Sequence, residues 1–196
     1  MKYLSKIFVF AGVMMLVSCG SQKKEEANDD EMASDTETEM AEEVSPMAIA
    51  MISSASGSTM GGEADFVDNG DGTVTLNLKI TGAVPGEHAL HLHEHGDCSA
   101  PDATSAGGHW NPGMTDHGKR MAEGGDFHAG DIDNIVVGAD STGTLTMVVH
   151  GWSVGGPDST NVIGKSIILH AKADDFVSQP SGAAGAREGC GVITAK

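Results

Sequence analysis

Residues 69–80 read Asn69-Gly70-Asp71-Gly72-Thr73-Val74-Thr75-Leu76-Asn77-Leu78-Lys79-Ile80, and they decide the fold class. Asn-Gly and Asp-Gly supply the positive φ that tight hairpin turns demand. Beyond the turn, Thr73, Thr75, Asn77 and Lys79 alternate with Val74, Leu76, Leu78 and Ile80. Strand side chains point to opposite faces with period two, so one face of this strand is wet and the other is buried, as in a sandwich or small barrel.

Outward from this strand, short β-favouring runs recur between turn signals at 48–53, 63–67, 73–80, 88–93, 132–137, 144–149, 167–170 and 192–195, about eight strands in all. Asp140-Ser141-Thr142-Gly143 is a second hairpin signal, and no helix longer than a turn or two is evident. Composition agrees: 27 glycines, each costing about 1 kcal/mol inside a helix, and 4% aromatic residues favour a loop-rich β architecture. Between His95 and Asp131 lies a glycine-rich stretch with no convincing strand. A stretch of that length in a compact domain is either a wrong assignment or a functional loop held by other means, and the four candidate ligands it carries, His109, His117, His128 and Asp131, favour the second.

The folding unit is residues 46–196. Residues 1–18 place Lys2 and Lys6 around an apolar run, 7–17, and end in Leu16-Val17-Ser18 before Cys19. The run is too short to span a bilayer. The segment resembles a bacterial lipoprotein signal peptide, with Cys19 the lipidated first residue of the mature chain, and two or three acyl chains are enough for stable anchoring. An ordinary secretory signal is the other reading, and both take the chain out of the cytoplasm. Residues 19–45 follow as a lipidated cysteine and a disordered acidic linker, with ten carboxylates and no base between 25 and 43. The expected location is the cell envelope, lipid-anchored on the periplasmic side or on the outer surface of the outer membrane.

The formal charge of the whole chain is -17. Residues 44–196 alone hold 18 acids against seven bases, which is -11. Nucleic acid is not an expected partner. An anionic substrate would be repelled at long range and needs a locally positive approach.

Nine histidines carry the chemistry. In His91-Leu92-His93 two imidazoles fall on one face of a strand, about 7 Å apart. Alone, such a pair fits hydrogen-bonded surface residues as well as ligands. Downstream come His109 in Gly107-Gly108-His109-Trp110-Asn111-Pro112, His117-Gly118, His128-Ala129-Gly130-Asp131, and His170 in Leu169-His170-Ala171-Lys172-Ala173-Asp174-Asp175.

Together with His-x-His-Glu before them and Gly189-Cys190-Gly191-Val192-Ile193 after them, these segments resemble, in order over residues 47–196, the metal-site segments of the Cu/Zn superoxide dismutases of bacterial type. The resemblance implies an eight-stranded Greek-key β-barrel or sandwich with long metal-binding and electrostatic loops, consistent with the strand count. It implies one copper per subunit on His91, His93, His109 and His170, and one zinc per subunit on His109, His117, His128 and Asp131, with His109 bridging the two. It makes Asp174 the aspartate that bonds one copper and one zinc histidine. The donor chemistry agrees independently: imidazoles suit Cu(II), and three imidazoles with a carboxylate close a tetrahedral zinc site.

With Cys19 lipidated, Cys98 and Cys190 are the cysteines left, and the resemblance joins them by a disulfide; two free thiols are the alternative. Arg187 matches the arginine beside the copper channel, where a guanidinium attracts a small anion, and Glu188 next to it weakens the funnel. His88, His95 and His150 match no ligand segment and read as surface or hydrogen-bonding residues.

The implied activity is conversion of superoxide to dioxygen and hydrogen peroxide by alternate reduction and oxidation of the copper, with His109 and Arg187 catalytic, protecting the envelope from extracytoplasmic superoxide. A copper store without turnover is the competing class. A zinc hydrolase needs an open zinc position, and the four ligands close it. Monomer and homodimer both remain open.

Overall fold

A computed structural model describes residues 46–120 and 125–196. The expected signal peptide (1–18), Cys19 and the acidic linker (19–45) lie outside the described residues. Ten strands run in chain order: β1 Met47–Ser54, β2 Gly61–Asp68, β3 Thr73–Thr81, β4 Gly86–His88, β5 Leu90–His93, β6 Ile135–Val137, β7 Thr142–His150, β8 Ser166–His170, β9 Arg187–Val192 and β10 Thr194–Ala195. Among the described residues there is no α-helix, only a short 3-10 turn at Thr104–Ala106.

The β2–β3 hairpin forms as read, with Asp68 opposite Val74 and the Asn69 N–H donating to the Thr73 carbonyl at 3.0 Å. Gly70 and Gly72 take φ of 74° and 84°, the left-handed region the turn requires. Val74, Leu76, Leu78 and Ile80 are buried, and Ala48, Ala50, Ile52, Ala64 and Phe66 of β1 and β2 meet them in one core. Each fully buried large aliphatic or Phe side chain contributes about 1.5 to 3 kcal/mol.

The main sheet runs β5-β8-β9-β1-β2-β3-β7, all pairs antiparallel, with β10 added beside β1. Neighbours that are not consecutive in the chain, β3 with β7 and β5 with β8, give the crossing connections of a Greek key. β4 pairs β6, β6 packs on β7, and β4 leads directly into β5, so this short pair lies between the two edges of the curled sheet. The architecture is the all-β barrel expected.

Three strand boundaries differ from the sequence reading. The run 88–93 breaks at Ala89, whose N–H donates to the Lys172 carbonyl and whose carbonyl accepts from His170 N–H, diverting the backbone from one pairing partner to another. The run 132–137 keeps only Ile135–Val137 in a strand, because Asn134 spends its side chain on the backbone of Asp174. The final run splits: β9 begins at Arg187, well before 192, and only Thr194–Ala195 follow it as β10. Gly189 and Gly191 look like breakers but are the residues that fit there: a Cβ on Gly191 would lie 2.9 Å from the Met51 carbonyl of the neighbouring strand.

The long stretch from His95 to Asp131 is held by main-chain stitches to β5. Leu92 N–H donates to Gly130, Trp110 N–H to Leu92, and Gly130 N–H to Trp110, each at 2.8 Å. Cys98 and Cys190 form a disulfide with their Cα atoms 5.8 Å apart, which ties this loop to β9. A small apolar cluster of Ala55, Ala103, Ala106 and Ile168 packs around that bridge.

Candidate metal centre

β5 is buried on both faces, and His91 and His93 leave it on the face that looks toward the stitched loop. β8 delivers His170 at its end, beside a bulge between Leu169 and His170. An irregularity of this kind re-aims the side chain that follows it. The loop delivers His109, which pairs with His93, and Asp131, which pairs with His91. His117 and His128 come from the same loop.

One cluster is purely histidine. A ring nitrogen from each of His91, His93, His109 and His170 lies within 4.8 Å of the others. The second nitrogen of three of these rings is already engaged: His91 Nε2 donates to Asp174 Oδ2 at 2.7 Å, His93 Nδ1 to the Gly107 carbonyl at 2.9 Å, and His170 Nδ1 faces the Gly185 carbonyl at 3.3 Å. His91 Nδ1, His93 Nε2, His109 Nε2 and His170 Nε2 are buried with no hydrogen-bond partner. Such orphans are expensive, about 1 to 3 kcal/mol each, unless something else takes their lone pairs.

The second cluster converges on one carboxylate oxygen. Asp131 Oδ1 lies 2.8 Å from His109 Nδ1, 3.1 Å from His117 Nδ1 and 3.3 Å from His128 Nδ1. His109 Nδ1 and His128 Nδ1 are themselves 3.3 Å apart. A tetrahedral ion with bonds of 2.0–2.1 Å has donor edges of about 3.3 Å, close to these four distances, although the four residues whose ligand atoms all lie within 4.8 Å of one another here are His91, His109, His117 and Asp131. His91 also has a nitrogen close to His109, His117 and Asp131, because its ring sits 3.9 Å from that of His109 between the clusters. Its Nε2 is taken by Asp174, which leaves Nδ1 for the all-histidine set.

Protonation favours ligation in the first cluster. Burial pushes His91 down to about 4, His93 to about 2 and His170 to about 3, so all three are neutral at physiological pH. His117 behaves oppositely. Burial pulls it down, but Asp131 and Asp174 on its two nitrogens prevail and raise it to about 9. Burial would raise Asp131, yet His109, His117 and the His128 N–H hold it well below the usual carboxylate range.

Asp174 joins the two clusters, because its other oxygen, Oδ1, accepts from His117 Nε2 at 3.0 Å. The Phe176 N–H donates to the same oxygen at 2.6 Å. Gly182 closes over this pair with φ of 64°, and a Cβ there would overlap Asp174 Oδ1. Arg187 lines a cavity of about 410 Å³ together with His93, His109 and His170. Its Nη1 and Nη2 donate to the Ala103 and Gly107 carbonyls, both at 2.7 Å, which fixes the guanidinium in the cavity lining.

The family model for copper/zinc superoxide dismutase (SODC) matches residues 60–193. The chain belongs to the copper/zinc superoxide dismutase family. It is 38% identical over 143 residues to the superoxide dismutase [Cu-Zn] of Deinococcus radiodurans, covering 68% of this chain and 77% of the relative. It is 42% identical over 125 residues to the superoxide dismutase [Cu-Zn] of Caulobacter vibrioides, covering 61% and 71%. Among solved structures, that of the clock protein EA4 superposes with a TM-score of 0.67 at 35% identity, covering 77% of this chain and 95% of the other.

As a member of the copper/zinc superoxide dismutase family the protein is an oxidoreductase acting on superoxide, with copper and zinc as its metals. The buried, unpartnered nitrogens fit that requirement, because neutral imidazoles suit copper and three imidazoles with one carboxylate suit a closed zinc site.

Of the histidines outside the ligand segments, His95 and His150 are exposed. His88 is buried and bridges two carbonyl oxygens, that of His170 at 2.8 Å and that of Val84 at 2.7 Å. It thereby steadies the backbone of a cluster histidine.

Three supporting residues escape any reading of spacing. Asn134 exchanges two hydrogen bonds with the backbone of Asp174. Gln179 does the same with the backbone of His117. Arg120 is buried under the loop that carries His128 and Asp131. All three act on main-chain atoms of other residues, and burial does not mark them as a set: Arg120 is buried, Asn134 half-buried and Gln179 exposed.

Proposed function

We propose that the protein dismutes superoxide at a copper held by His91 Nδ1, His93 Nε2, His109 Nε2 and His170 Nε2, beside a zinc held by His109 Nδ1, His117 Nδ1, His128 Nδ1 and Asp131 Oδ1. The observation that carries this reading is the set of buried nitrogens aimed at two points, with every opposing nitrogen of His91, His93 and His170 occupied. The chemistry a copper ion supplies there is one-electron exchange, so that one superoxide is oxidised to dioxygen and a second, with two protons, is reduced to hydrogen peroxide.

The chain's own residues do the rest. Arg187 binds the anion from the cavity lining, where its orientation is fixed by the two carbonyls it holds. His109 lines the same cavity, and its Nε2, when not engaged by a copper ion, would be free to take up a proton and pass it to the departing peroxide. Asp174 keeps His91 and His117 in the tautomers that leave Nδ1 free. His109, His117, His128 and Asp131 would fill all four positions of a zinc ion, which would then have a structural and electrostatic role. Export and anchoring through Cys19 complete the proposal and place the enzyme in the envelope, against superoxide arising outside the cytoplasm.

The test is superoxide dismutation by the full chain loaded with copper and zinc, with metal content measured beside it. One copper and one zinc per chain, fast turnover that falls as salt rises, and a loss of about tenfold or more in Arg187→Ala are expected. Tight copper binding without turnover would replace the enzyme with a copper store. For the anchor, a Cys19→Ser chain that still partitions with membranes would count against lipidation.

A further inference from the structure

The segment 127–131 carries two of the four donors proposed for zinc, and its carbonyls point away from the donors. The carbonyl of Gly130 accepts from Leu92 N–H on β5. The Phe127 carbonyl accepts from Thr115 Oγ1 at 2.7 Å, and the carbonyls of His128, Ala129 and Asp131 all meet Arg120, that of His128 also accepting from Asp131 N–H at 3.1 Å. Arg120 Nε donates to the Asp131 carbonyl at 2.7 Å, and Nη2 reaches the carbonyls of His128, at 3.4 Å, and of Ala129. Trp152 Nε1 adds a bond to the Ala129 carbonyl at 2.7 Å.

The guanidinium is 4.9 Å from the Phe127 ring and 5.3 Å from the Trp152 ring, and the residue is only 9% exposed. Among the described residues no carboxylate pairs with it directly. It lies on the backbone side of Asp131, whose side-chain oxygens face the opposite way, toward His109, His117 and His128. Burial draws the guanidinium down to about 10, so it remains charged at neutral pH.

We infer that Arg120 is a positioning residue for zinc: by collecting the carbonyls of His128, Ala129 and Asp131 it sets the direction in which His128 Nδ1 and Asp131 Oδ1 leave the loop. The inference rests on the zinc reading given above. A planar fork with several donors can serve divergent carbonyls and lie against aromatic rings at once, which a lysine ammonium cannot. Residues behind metal ligands typically govern affinity by about 10- to 100-fold.

The experiment compares the full-length wild type with Arg120→Met, Arg120→Lys and His117→Ala. Zinc affinity is read by competition with a chromogenic chelator, and site geometry by the visible absorption of cobalt(II) placed in the zinc site. Thermal unfolding of each metal-free protein is recorded alongside. The expected result is a loss of about 10- to 100-fold in zinc affinity for Arg120→Met with an altered cobalt spectrum, and an intermediate loss for Arg120→Lys.

Wild-type zinc affinity and an unchanged cobalt spectrum in Arg120→Met, even with a lowered melting temperature, would overturn the positioning role. If Arg120→Met does not fold, Arg120→Lys decides by the same two readouts. A wild type that takes up no zinc, or a His117→Ala chain that binds it as the wild type does, would instead overturn the zinc reading itself.

Discussion

His109 is the residue with a nitrogen in each cluster, Nε2 among the histidines of β5 and β8 and Nδ1 against Asp131. A single imidazole used on both sides makes the two sites interdependent. His109→Ala should therefore lower zinc retention and dismutase activity together, measured as zinc content after dialysis and as turnover on the same preparation. Full activity would refute the bridging role. His91, His93, His109, His117, His128, His170 and Asp131 were picked out by the motif segments that hold them, and their donor atoms gather in the structure. His88 was half legible: its hydrogen bonding was foreseen, while its burial was hidden by the break at Ala89. Arg120, Asn134 and Gln179 were illegible because backbone carbonyls and N–H groups, which every residue carries, are what they recognise.

The elements that place these side chains differ in how local their causes are. The β2–β3 hairpin is written in its own turn and its own alternation, so its antiparallel pairing and buried face were readable at once. The bulge before His170 and the break at Ala89 depend on strands far along the chain, and no local pattern announces them. The loop from His95 to Asp131 depends most on distant partners, since its stitches go to β5 and its disulfide goes to β9. Closing 92 residues of sequence separation should stabilise the fold by about 4 to 5 kcal/mol through the unfolded chain. The double variant Cys98→Ser, Cys190→Ser is expected to lose about that much in urea unfolding. It should also lose activity at saturating metal, because the Ala103 and Gly107 carbonyls that fix Arg187 lie on the released loop. A double variant as stable as the parent would contradict the loop-closure account.

For the molecule as a whole, the buried histidines set the pH response of the protein stripped of metal. His91, His93 and His170 keep folded pKa values of about 4, 2 and 3, whereas the unfolded chain takes up those protons near 6.5. Below pH 6.5 the unfolded state binds more protons, so stability falls as pH falls, by up to about 1.4 kcal/mol per unit for each histidine. His117, raised to about 9, contributes stability that is complete below 6.5 and is lost as pH rises toward 9. Urea midpoints of the metal-free protein should therefore peak near pH 6.5, and midpoints that climb steadily from pH 7 to 5 would contradict the assignment. The pairing of β5 with β8 brings together histidines that stand far apart along the chain, with Leu90 opposite Leu169. Contacts of such long separation are slow to make, because the chain between them must be closed before they stabilise anything. An ion meeting the extended chain finds little more than His91 and His93 side by side, and the full cage exists only once the barrel has closed. Metal therefore acts as a lock on a finished structure: it slows escape from the native state and leaves the speed of reaching it almost unchanged.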